Sequence, residues 1–139
     1  MHRLFKYSFV IMAFIWLSVA SANPANALID KEFSLSIGQS ASIDSEKLII
    51  KFKAVLEDSR CPINALCAWA GNGKVEIEVL DIDGQNKTII LNTEDDPRLA
   101  PLKGHKLKLV SLNPPRITGV SISHGDYRVT LSVERKSSE

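Results

Sequence analysis

Tyr127-Arg128-Val129-Thr130-Leu131-Ser132-Val133-Glu134 decides the fold class. Tyr127, Val129, Leu131 and Val133 alternate with Arg128, Thr130, Ser132 and Glu134. In an extended chain that period puts the apolar set on one face and the polar set on the other. The same alternation recurs upstream, in Phe33-Leu35-Ile37, Ile50-Phe52-Ala54-Leu56, Val75-Ile77-Val79, Leu107-Leu109 and Val120-Ile122. A shorter run, Thr88–Leu91, completes the set. Gly38-Gln39-Ser40, Asp83-Gly84, Asn113-Pro114-Pro115 and Gly125-Asp126 fall between the runs, where turn residues belong. Asp83-Gly84 between two strand-like runs is a tight-hairpin signal. A 3.6-residue period is absent. The best helical candidate is one turn near Asp96–Leu102, limited by Pro97 and Pro101. About seven one-sided strands must close their apolar faces on each other. The expectation is an all-β, single, small antiparallel β-sandwich, with a small β-barrel as the alternative.

The N-terminus reads differently. Met1–Lys6 carries His2, Arg3 and Lys6 and no acid, and an uncharged apolar run follows from Tyr7 to Ala20. Ala20-Ser21-Ala22 and Ala25-Asn26-Ala27 come next. A basic, then apolar, then small-residue order is that of a secretory signal peptide. The apolar run falls short of the roughly 20 residues that span a bilayer. Residues 1–27 are therefore expected to be removed, with cleavage after Ala27 or, alternatively, after Ala22. Residues 28–139 form the exported domain, with no stable membrane anchor after cleavage. Removing Arg3 and Lys6 turns 17 basic against 16 acidic side chains into 15 against 16. A net charge of −1 gives no pull towards nucleic acid or anionic lipid.

Both cysteines, Cys61 and Cys67, lie in the exported part, where an oxidising compartment favours pairing. The expected Cys61–Cys67 disulfide closes a short ring, worth about 2–2.5 kcal/mol in chain entropy. Its larger effect is local, because it shapes one loop. That loop, 58–73, joins two strong strands and gathers Asp58, Arg60, Pro62, Trp69, Gly71, Asn72 and Gly73. Asp58-Ser59-Arg60-Cys61-Pro62, four residues, Cys67, one residue, then Trp69-Ala70-Gly71 resembles the motif of a family of small bacterial exported or lipid-anchored proteins. The similarity extends to Phe33–Ser40, Leu112–Pro115 and Tyr127-Arg128-Val129. The resemblance implies export and no particular activity, since the family has no established one. Many such proteins carry a cysteine at the mature N-terminus, and this chain does not.

Asp58 can accept hydrogen bonds within its own turn, and Arg60 is a candidate ion partner two residues away. Trp69 is expected to lie across the disulfide or cap the core. The competing reading makes Asp58, Arg60, Trp69 and Asn72 an exposed binding patch, because function concentrates on loops held by rigid scaffolds.

Other chemistry fares worse. Reactive dithiols use a two-residue spacing, not five. Zinc would need His105 and His124 beside both cysteines, a poor set. Asp81-Ile82-Asp83-Gly84 lacks the remaining ligands of a calcium loop and reads as a hairpin turn. Glu94-Asp95-Asp96 reads as a solvated loop. Ser121, Ser123, His124 and Asp126 lack an oxyanion hole and a nucleophile elbow. No catalytic residue, cofactor or metal is implied. The sequence reading is an exported cell-envelope protein, most simply a non-enzymatic binding or interaction module for a protein or envelope component. A purely structural or protease-inhibitor-like role is the alternative, and an unrecognised enzyme a minor one.

Overall fold

Each apolar run needs a partner for its oily face, and the chain satisfies this with two sheets. A computed structural model describes residues 24–43 and 45–136. Nine strands occur among them: β1 Ala25–Asn26, β2 Glu32–Ser36, β3 Ser40–Ile43, β4 Leu48–Asp58, β5 Gly73–Asp81, β6 Asn86–Asn92, β7 Leu99–Leu102, β8 His105–Asn113 and β9 Arg128–Arg135. One sheet has the order β3-β4-β5-β6, with the two-residue β1 running parallel to β3 at its edge. The other has the order β2-β9-β8-β7. Apart from β1, all neighbours are antiparallel. The sheets face each other without closing into a barrel, so the molecule is a small β-sandwich. The described residues contain no α-helix. Their one helical piece is a 3₁₀ turn at His124–Asp126.

Alternation supplies the core. Ile50 and Phe52 of β4, Val75 and Ile77 of β5, and Leu91 of β6 meet Leu35 of β2, Leu107 and Leu109 of β8, and Val129, Leu131 and Val133 of β9. All are essentially sealed from solvent. Asp83-Gly84 forms the expected tight turn, with Gly84 N–H donating to Asp81 O at 2.9 Å.

The phase of alternation is not continuous in two strands. In β4, Phe52 pairs with Ile77 but Ala54 pairs with Glu76, so Lys53 is extra. That extra residue reverses the facing of Ala54 and Val55, and a second shift between Val55 and Glu57 leaves Leu56 extra as well. Val55 therefore packs on the core, while Leu56, expected inward, is exposed. In β8 the register slips between Leu109 and Ser111, leaving Val110 extra and turning Leu112 inward.

Three other expectations change. Val120-Ile122 is no strand: an isolated Ile117–Val120 bridge is all that forms, in a segment broken by Pro114, Pro115 and Gly119. The Asp96–Leu102 helical turn is replaced at Leu99–Leu102 by β7. This is an edge strand, where Pro101 sacrifices no ladder hydrogen bond. Ser40–Ile43 is a strand whose short, Ser-rich alternation hid it, with Ala41 and Ile43 buried.

The expected signal peptide lies, through residue 23, outside the described residues. Its expected last residues belong to the described domain. Ala25 and Asn26 pair with Ala41 and Ser42, Ala27 N–H donates to Ser42 O at 2.8 Å, and Ala27 is buried.

The phase shift in β4 makes a direct forecast. Phe52→Ala should cost about 3–5 kcal/mol in urea unfolding, as an emptied core site does. Leu56→Ala should change stability by no more than about 0.5 kcal/mol, as surface substitutions do. Equal costs at both positions would put Leu56 in the core and remove the bulge.

Candidate functional site

Asp58 ends β4 at the point where the chain leaves the sheet, and its carboxylate is nearly buried. Arg60 meets it two residues later in a fork, Nε to Oδ1 at 2.7 Å and Nη2 to Oδ2 at 2.8 Å. The side chains are only 8% and 14% exposed, respectively. A planar guanidinium suits this bidentate geometry as no ammonium can. Its other donors reach across to the 112–114 segment, to the carbonyls of Leu112 and, at 2.9 Å, Pro114. Tyr127, just before β9, completes the cluster by donating its hydroxyl to Asp58 Oδ2 at 3.0 Å. One buried carboxylate thus ties the end of β4, the β8–β9 connection and the start of β9 together.

The chain between β4 and β5 is zipped above this clamp. Ser59 N–H donates to Asn72 O at 2.7 Å, and Cys61 N–H to Ala70 O at 2.7 Å. Gly71 sits at φ +69°, and a Cβ there would lie 1.8 Å from Ser59 O. The two legs therefore close this tightly only around glycine. Cys61 and Cys67 are disulfide-bonded with their Cα atoms 6.0 Å apart. The first leg also docks sideways. Ile63 N–H donates to Arg116 O at 2.9 Å, Thr118 N–H to Asn64 Oδ1 at 2.9 Å, and Arg116 Nη1 to Arg60 O at 2.8 Å.

The four expected patch residues divide. Asp58 and Arg60 form the expected ion pair, but inward, as scaffold. Asn72 is buried: its amide donates to Asn92 Oδ1 at 2.9 Å, and its own oxygen accepts Glu94 N–H at 3.2 Å. It pins the 92–95 loop beside the stapled one. Trp69 alone stands out, 82% exposed, and so it does not cap the core. Ile63 is 68% exposed and Leu66 fully exposed on the same loop. Tyr127, Arg116, Ile63 and Leu66 join the site without having been among the expected residues. Tyr127 and Arg116 lie more than fifty residues from their partners, and nothing local signals the contact. Leu66 and Ile63 had a signal, since neither fits an alternating run.

The remaining candidates are dispersed. His105 opens β8 with Nε2 3.2 Å from Glu46 Oε1, and His124 is exposed in the 3₁₀ turn. Asp81 pairs with Lys103 Nζ at 2.8 Å. Among the described residues, no three His, Cys, Asp or Glu side chains gather as a metal set. A scan against protein-family models and searches of curated proteins and of solved structures found no match to this chain. A disulfide in a small β domain is compatible with an exported protein.

Electrostatics fixes how the clamp responds to pH. Burial pushes the Asp58 carboxyl up, but hydrogen bonds from Arg60 and Tyr127 and the Arg60 charge outweigh it and hold the group below the usual carboxylate range. A lowered folded pKa stabilises above the unfolded value of about 3.9 and is lost as pH falls through the folded one. The stability gap between wild type and Asp58→Asn, open at pH 7, should therefore narrow below about pH 4. Burial, then the Asp58 hydrogen bond and charge, push the Tyr127 phenol up. Its contribution should persist to about pH 10 and fade as pH rises through the higher folded value.

Removing one partner of a buried pair strands the other charge, so Arg60→Ala should cost about 3–5 kcal/mol. Arg60→Lys should recover only part of that loss, having no fork to offer. Chemical denaturation of the three proteins checks both statements, and a loss under about 1 kcal/mol for Arg60→Ala would show the pair to be solvated.

Proposed function

We propose that the chain is an exported, non-enzymatic interaction module that docks a partner protein through the tip of its stapled loop. The observation that carries this reading is the exposure of Trp69, with Leu66 and Ile63 beside it in the chain, on a loop whose base is buried and hydrogen-bonded. Contiguous exposed apolar side chains on a soluble domain mark contact surfaces. Trp is among the residues that most often dominate binding energy. Holding the loop by a disulfide, a buried ion pair and a backbone zipper removes ordering cost before any partner arrives. Ile117 and Val120, both exposed, extend the surface on the segment against which residues 63–64 dock. The disulfide supports an oxidising destination, as does the basic-then-apolar N-terminal sequence.

Capture of partners from envelope extract, with wild type and Trp69→Ala as baits, tests the reading. Trp69→Ala should lose the captured protein while its Tm stays within about 3 °C of wild type, as for a surface substitution. A Tm drop of about 10 °C or more, on the order of 2 kcal/mol, would make Trp69 scaffold and end the proposal. A captured protease that the loop inhibits would assign the partner class to the inhibitor-like version of the same reading.

A further inference from the structure

Between the stapled loop and the start of the β8–β9 connection lies a hollow of about 390 Å³, and its wall chemistry differs from that of the loop tip. Ile63, Val110 and Leu112 supply apolar surface, and Arg98 and Arg116 line the same space. Arg60 also borders it, but its charge is met by Asp58. Arg98 and Arg116 have no carboxylate partner among the described residues. Both are anchored. Arg98 O accepts Leu109 N–H at 3.1 Å, holding Arg98 against β8. Arg116 O accepts Ile63 N–H, and one arm of its guanidinium is fixed on Arg60 O at 2.8 Å. Glu94 stands on the wall as the one acid. Two unpaired guanidiniums against one carboxylate leave the hollow singly positive.

We infer that this hollow is a binding site for a carboxylate carried on an apolar stem, such as a peptide C-terminus with an aliphatic last residue or a free aliphatic acid. The charge balance suits a monoanion. Guanidiniums offer paired N–H donors in the plane a carboxylate needs, and that of Arg116 is held in place by Arg60 O. Val110, left extra by the bulge, and Ile63 give the stem an apolar wall. Both halves of such a ligand thus find complementary surface. Phosphate, with more charge and no stem, would leave the wall unused. Trp69 and Leu66 do not line the hollow, so it is distinct from the loop tip proposed above except at Ile63, which borders both.

The test is a titration of the purified protein with N-acetyl-leucine, followed by amide shifts in ¹H–¹⁵N spectra. Saturable shifts should centre on Ile63, Val110, Arg98 and Arg116. N-acetyl-leucinamide, lacking the charge, should bind at least about tenfold more weakly, as for loss of charge-assisted hydrogen bonds. Arg98→Gln and Arg116→Gln should each weaken binding about tenfold. Arg98 is exposed, so its variant reports even where the Arg116 variant is destabilised. Glu94→Gln should strengthen binding about two- to fivefold by removing the opposing charge. Trp69→Ala should leave it unchanged, whatever that variant does to partner capture. A tripeptide ending in leucine binding more tightly than N-acetyl-leucine would assign the ligand to protein C-termini. Hexanoate binding more tightly would assign it to free acids. Equal binding of acid and amide, tighter binding of inorganic phosphate than of N-acetyl-leucine, or shifts that ignore Arg98→Gln would each overturn the site.

Discussion

A carboxylate taken out of water must be met by a positive charge, and Asp58 is taken out of water at the last residue of β4. Arg60 supplies the charge, and the geometry of its fork dictates the path of the neighbouring chain. Two of its nitrogens face Asp58, and the donors left over reach the carbonyls of Leu112 and Pro114. The chain leaving β4 is thereby pulled across the end of the opposite sheet. Tyr127 closes the arrangement from the start of β9. The ion pair is thus a joint between the two sheets' connections, and the stapled loop inherits a fixed base from it. The disulfide then constrains only the distal part, between residues 61 and 67.

That division of labour explains why the loop tip can be apolar. A loop that could fold back would bury Trp69, Leu66 and Ile63 against the nearest oily surface. The zipper through Ser59, Cys61, Ala70 and Asn72 and the side contacts to Arg116 and Thr118 prevent this. The loop keeps its apolar residues outward and leaves a second surface, the arginine-lined hollow, along its flank. Two chemistries stand close together: an oily tip, proposed as a protein contact, and a positive recess, proposed as a carboxylate site.

Much of the fold is legible in the sequence because period-2 alternation is a local signal. Residues 75–79 and 129–133 have the right faces at every position. It fails where a second, non-local fact intervenes. Lys53 and Leu56 of β4 and Val110 of β8 are extra residues without a partner in β5 or β9, and no feature of the flanking sequence announces that. Leu56 and Leu112 change faces as a result. The Val120-Ile122 alternation is real but finds no partner strand, so the pattern alone does not make a strand. The site shows the same limit. The Asp58–Arg60 contact was readable because it spans two residues. Its burial was not, because that depends on Leu112, Pro114 and Tyr127 arriving from far along the chain. Trp69 illustrates the converse: a large aromatic is expected inside, and only its zipped surroundings put it outside.

Hydrogen exchange of the disulfide-intact protein tests the joint most directly. The amides of Ser59, Cys61 and Ile63 should be protected to the same degree as those of neighbouring β4 and β5, while the indole N–H of Trp69 exchanges as fast as in a free peptide. An unprotected loop base, or a protected Trp69 indole, would contradict the claim that a rigid, buried joint holds an apolar tip in solvent.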